Sequence, residues 1–298
     1  MAAVLRAAPA LPRARRAALL VLTALLIGGS LVPAGRAAAH GPPAADLVAA
    51  VTAPYPRIGT LAVAVARQPA SLDGLSIAAA EARAARDAGY AADNGGVADR
   101  PIPSASMVKL FLAEDILHRA CAGELALGPP DFAQVQAMIR YSDDPAASAL
   151  WVRYGGARAV SAVAARYGLT GTAPPAVPGQ WGQATTTARD LARFLALLPV
   201  VAHPSDAGAL MVWMRTAATT AADGFGQRFG LFGTAPGLPA VKQGWMCCVG
   251  GNRHLHSVAV VGRRVVVLLS EVSRSVGYDE ARAALTTAAE ALPLPQRP

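Results

Sequence analysis

Lysine is almost absent from this chain. Of 27 basic residues only Lys109 and Lys242 are lysine, and the rest are arginine. There are no lysine-rich patches and no basic stretches interleaved with aromatics, which make up only 5% of the residues. The sequence therefore gives no case for a nucleic-acid partner. Long apolar runs are also missing. The longest, Ala17 to Val32, has 16 residues, short of the roughly 20 that a comfortable membrane span needs. Cysteine is limited to Cys121, Cys247 and Cys248. Adjacent cysteines on a strand point to opposite faces and chelate one ion poorly, so "CCVGGNRHLH" is read as core packing with a disulfide, and no metal or other cofactor is expected. The disulfide expected is Cys121 with one of the adjacent pair, leaving one thiol over.

At 298 residues, with no internal repeat, the chain can bury a substantial core. Residues 1–39 hold five arginines and read as an export signal: Arg6, Arg13, Arg15 and Arg16 ahead of the short apolar run, then Pro33 and the small-residue site Ala37-Ala38-Ala39. No cysteine follows the run to take a lipid anchor. Removing this segment lowers the formal charge from +8 to +3, a mild excess that suits an anionic cell envelope. Residues 40–298 are expected to form one monomeric domain, secreted or held in the envelope, touching membrane only if the signal stays uncleaved.

Within that domain, "ADLVAAV" reads as a helix and Arg57 to Ala66 as a largely buried strand. The stretch Leu75 to Arg86 is rich in Ala and Arg, and "AADNGGVADRPIP" is loop. A helical block follows, interrupted at "YSDDP", and Thr187 with Asp190 predicts a capping box for "TARDLARFLALL". Three strands from "AVKQGWMCC" to "RVVVLLSEV" form a meander, and "DEARAALTTAAEAL" closes the chain. The fold class is thus α/β in the α+β sense. One antiparallel sheet is flanked by N- and C-terminal helices, with a central helical subdomain beside it and a cleft between the two.

Both lysines fall in short motifs that can carry chemistry. Ser106 and Lys109, three residues apart at a helix N-terminus, put a hydroxyl and an amine on one face, as a serine nucleophile with a lysine base requires. Lysine can lose its proton on burial where arginine cannot. Ser142, Asp143 and Asp144 lie in the helix break, and Lys242-Gln243-Gly244 opens a strand whose glycine admits close backbone approach.

S-x-x-K, "SDD" and "KQG" in this order resemble the motifs of the class A β-lactamase and penicillin-binding serine hydrolases, with "TTTARDLARFL" also in the expected place. The resemblance implies a β-lactamase/transpeptidase-like fold and a β-lactam or peptidoglycan-derived peptide as partner. It makes Ser106 the acylated nucleophile, Lys109 its base, and Ser142 the proton donor to the departing nitrogen. The N–H groups of Ser106 and Trp245 would be the oxyanion hole, and Lys242, with Asp144, Gln243 and Gly244, would bind substrate.

Three departures qualify it. Asp144 stands where the family has asparagine; it donates no hydrogen bond to a substrate amide and, if ionised, raises the pKa of Lys109. Gln243 replaces Thr or Ser while retaining an amide donor. The loop "LTGTAPPAVPGQWGQ" holds no carboxylate, and no glutamate occurs between Glu124 and Glu271, so the usual activator of the deacylating water is missing. Slow deacylation is expected, with a wall-binding protein that keeps the fold without turnover as the alternative. Ser205-Asp206 is read as a helix cap, Arg228 and Arg253 as solvated surface charges, and the side chains of Trp151, Trp181, Trp213 and Trp245 as packing residues.

Overall fold

The computed structural model describes residues 42–69, 76–79, 82 and 91–293. The expected export signal lies outside them, as does most of the stretch Leu75 to Arg86. All fall within one unit, Ala39–Pro298. No described helix is long and apolar enough to cross a membrane.

The sheet forms from segments with near-continuous apolar character: β1 (Gly59–Arg67), β5 (Ala240–Val249), β6 (Asn252–Val261) and β7 (Arg264–Ser273), with the short β2 (Ala92–Asp93) on its edge. The order is β2-β1-β7-β6-β5, antiparallel where strands pair. β1 returns to β7 with Val63 opposite Leu268, joining the two ends of the chain. Alternation along β1 sorts its side chains. Leu61, Val63 and Val65 face a core shared with helices α1 (Ala44–Thr52) and α9 (Tyr278–Glu290). Ala62, Ala64 and Ala66 face the helical block, and their small size lets that layer approach closely.

The helical block consists of α2 (Val108–Cys121), α3 (Pro129–Arg140), α4 (Asp144–Tyr154), α5 (Gly156–Tyr167), α6 (Ala188–Val201) and α7 (Pro204–Arg215); a single turn, α8 (Leu231–Thr234), precedes β5. α2 is the central helix: every residue from Val108 to Leu117 is buried, including Glu114 and Asp115. Arg166 and Tyr167 of α5 satisfy Glu114 at 2.8 and 3.0 Å, so two buried acids become a polar anchor between helices.

Some ends differ from the reading above. Thr187 does cap α6, accepting from the N–H of Asp190, but the Asp190 carboxylate accepts from Gly171 N and Thr172 Oγ1 instead of completing a box. His203 occupies the N-cap position of α7 with its Nδ1 2.8 Å from Ser205 Oγ; Ser205 sits inside the helix and donates to Asp206. Two-residue strands β3 (Ile102–Pro103), in a segment read as loop, and β4 (Thr185–Thr186), just before the α6 cap, pair antiparallel. They are too short for a period-two pattern to register.

Candidate active site

β3 leads directly into the site. Ser104 N–H donates to Ala184 O at 2.7 Å, and His256 Nε2 donates to Pro103 O at 2.9 Å, fixing the chain just before Ser106. Ala105 then takes φ 47°, left-handed backbone that a side chain disfavours, before a 3-10 turn passes into α2. Ser142 shares this trait at φ 49°. Strained backbone is tolerated where surrounding packing imposes it, and both positions here are buried.

Three of the four residues proposed for chemistry, Lys109, Ser142 and Lys242, are joined by hydrogen bonds, while Ser106 lines the adjoining cleft. Lys109 is fully buried and its Nζ donates to Ser142 O at 2.6 Å, to Ser142 Oγ at 3.2 Å and to Asp144 Oδ1. Lys242 Nζ approaches the same Ser142 Oγ from the sheet at 2.8 Å and donates to Gln243 O at 2.6 Å. Ser142 thus stands between two buried amines. Among the described residues no hydrogen bond connects Ser106 Oγ to Lys109.

Burial lowers the pKa of Lys109, with the charge of Asp144 opposing it. The expected upward effect of Asp144 is therefore present but does not prevail. Lys242 falls well below its ordinary value, first through burial and then through the charge of Lys109. Two ammonium groups sharing one hydroxyl in a dry site resist being charged together.

Asp143 caps α4 by accepting from Ala146 N at 2.8 Å, which turns Asp144 into the first helical turn and toward the cleft. Gly244 passes against the nucleophile turn: a Cβ there would stand 3.2 Å from Ser106 N and 3.4 Å from Ala105 Cβ. Only glycine gives the strand and the turn this approach without displacing one of them.

Gln243 corrects an expectation. It follows Lys242 on the strand and so points to the opposite face, where Nε2 donates to Phe229 O at 2.6 Å and Oε1 accepts from Ser257 Oγ at 2.9 Å. Its side chain braces the sheet against the Phe229 turn and does not enter the cleft. Trp245 reaches the cleft wall, its ring stacked on Phe225 at 4.5 Å and its Nε1 donating to Asp223 at 3.2 Å.

The cleft has a volume of about 260 Å³ and is lined by Ser106, Asp144, Gln180, Trp181, Trp245 and Met246 among others. Trp181 has a place in the cleft that its packing role did not reveal. It does pack, half-buried, against the main core, but it also lines the cleft: its ring lies over Lys109, 5.0 Å from Nζ to centroid, while its Nε1 donates to Ser148 Oγ. An aromatic face thus covers the lysine from the loop that lacks a carboxylate. Position in that loop was the available signal.

Other residues resolve differently from the sequence reading. Cys247 and Cys248 are bonded to each other, and Cys121 is exposed and free, so the expected pairing with Cys121 is not formed. Cys121 ends α2 in the helical block, whereas the pair belongs to β5 of the sheet. Arg228 is exposed as expected, but Arg253 lies over the Tyr278 ring at 4.4 Å, held by its aromatic neighbour.

An antiparallel sheet between terminal helices and a helical block, with S-x-x-K at the start of the central helix, defines a serine-hydrolase-type fold of the β-lactamase kind. The chain belongs to the β-lactamase enzyme family, whose sequence profile matches residues 134–293. That span includes Ser142 and Lys242 and begins after Ser106 and Lys109. Among solved structures, a β-lactamase from Desulfarculus baarsii shares the fold with TM-score 0.59 and 18% identity, over 84% of this chain and 97% of that one. A β-lactamase from Xanthomonas campestris gives TM-score 0.58 and 19% identity, over 83% and 96%. The protein named lipoprotein LppW of Mycobacterium tuberculosis is 36% identical over 208 residues, 68% of this chain. The match spans 65% of that relative's length.

Proposed function

We propose that this protein is an envelope serine hydrolase that forms an acyl-enzyme at Ser106 with β-lactams or D-alanyl peptides of the cell wall and releases the acyl group slowly. The observation that carries this reading is the convergence of Lys109 and Lys242 on Ser142 Oγ, at 3.2 and 2.8 Å. Lys109, in its neutral form, takes the Ser106 proton as Ser106 Oγ attacks the carbonyl carbon. As the C–N bond breaks, Ser142 passes its proton to the departing nitrogen and regains one from the Lys109 ammonium. The oxyanion rests on the N–H groups of Ser106 and Trp245, with Gly244 allowing strand and turn to meet. Asp144 and Gly244 flank bound substrate, and Lys242 attracts its carboxylate. Slow release follows from Trp181 and Gln180 standing in the cleft wall on a loop without a carboxylate to activate water.

Residues 1–39 serve as the export signal in this reading, and the lipoprotein name of the mycobacterial relative supports an envelope location. The test is intact mass after incubation with a penicillin: a persistent adduct on the native chain, absent from Ser106→Ala, is expected.

A second reading, binding of wall peptide without turnover, draws on the commitment of Lys109 to Ser142 and Asp144 with no hydrogen bond to Ser106. Slow loss of terminal D-alanine from an acyl-D-Ala-D-Ala peptide, abolished by Ser106→Ala, would exclude it.

A further inference from the structure

We propose that Cys121, His203 and Asp206 bind one divalent transition-metal ion of the zinc type where α2 ends and α7 begins. The Sγ of Cys121, a ring nitrogen of His203 and a carboxylate oxygen of Asp206 all lie within 4.8 Å of one another. An ion at their centre would stand at most about 2.8 Å from each, against bonds of about 2.0–2.3 Å for zinc. Cys121 and His203 are exposed, so closing that gap needs only small side-chain rotations.

A separate observation points to a missing ligand. Asp206 Oδ2 is buried and has no hydrogen-bond partner, an arrangement that is costly for an ionised carboxylate. Its other oxygen accepts from Ser205 Oγ at 2.9 Å. Ser205 has one hydroxyl proton. With that proton on the charged carboxylate, its oxygen accepts from His203 Nδ1–H, 2.8 Å away. Nε2 then keeps its lone pair, as a metal ligand must. The backbone N–H of Ser205 also approaches Nδ1, but at 3.4 Å, a long contact that this tautomer gives up.

The chemistry of the set selects the ion. Thiolate, imidazole and carboxylate together suit zinc or cobalt, whereas magnesium and calcium take oxygen ligands. Cys121 releases its thiol proton to solvent as the metal–sulfur bond forms, and the thiolate and carboxylate together balance the dication. The bound ion staples the far end of the helix that begins beside Ser106 to the first turn of α7. Cys121 and His203 stand 82 residues apart in the chain, which hides the site from motif spacing.

The test is titration of the full, unreduced chain with Co²⁺. A thiolate-to-cobalt charge-transfer band saturating at one ion per chain, displaced by Zn²⁺, is expected. Cys121→Ser should abolish the band, and His203→Gln and Asp206→Asn should each weaken binding at least tenfold. No band at millimolar cobalt, or a band of unchanged affinity in both His203→Gln and Asp206→Asn, overturns the proposal, the latter result reporting an isolated thiol. A measurement on the native chain guards against misfolded variants. Zinc should slow alkylation of Cys121 at least tenfold, with full recovery on chelation, and an unchanged alkylation rate also overturns the proposal.

Discussion

Lys109 is fully buried, yet its ammonium group is paired with Asp144, whose side chain is 56% exposed on the cleft wall. This ion pair joins the candidate base to solvent, and it opposes the drop in lysine pKa that burial produces. Asp144→Asn removes the opposing charge and supplies an amide donor to substrate. We expect acylation by a penicillin at neutral pH to quicken by about tenfold, within the range that positioned acid–base groups contribute. The check is the time course of adduct mass; slower acylation would show that Asp144 helps position Lys109.

Gln243→Ala separates a role in the sheet from one in the cleft. Loss of the contacts to Phe229 O and Ser257 leaves buried polar groups unpartnered, which costs about 1–3 kcal/mol of stability. Denaturant unfolding should register that loss while the acylation rate stays within about twofold of the native value on the same scale of argument.

Cysteine pairing is directly countable. Alkylation of the denatured but unreduced chain should add one label, at Cys121, and alkylation after reduction should add three. An unreduced chain labelled at Cys247 or Cys248 would restore the pairing with Cys121.

Acid should weaken the fold through the histidines of β6. Burial holds both His254 and His256 down to about 4, against an ordinary value near 6.5. Between those values the unfolded chain binds protons that the folded chain does not. Stability is therefore complete above about pH 6.5 and declines as pH falls toward 4. We expect the melting temperature to drop by several degrees, on the order of 5–10 °C, across that window. His256→Gln, which keeps a donor for Pro103 O, should flatten the slope.

Much of this architecture was legible because it rests on local pattern. The alternation in β1, the three-strand meander, Thr187 as a cap and the helix break at "YSDDP" each carry their own periodicity or turn chemistry. S-x-x-K and the two lysines marked the site because their residue types are rare in this chain. What escaped depends on groups far apart in sequence. Trp181 comes over Lys109 only through the path of its loop, and Glu114 became a core residue because Arg166 and Tyr167 arrive from α5. Gln243 is different: strand alternation already placed it opposite Lys242, and motif likeness concealed that.

The most direct test of the account is intact mass of the native chain and of Ser106→Ala, followed for hours after addition of a penicillin. A single adduct of the intact drug is expected on the native chain, decaying over hours, and none on Ser106→Ala. No adduct on the native chain at any drug concentration would contradict it, and so would an adduct that Ser106→Ala retains.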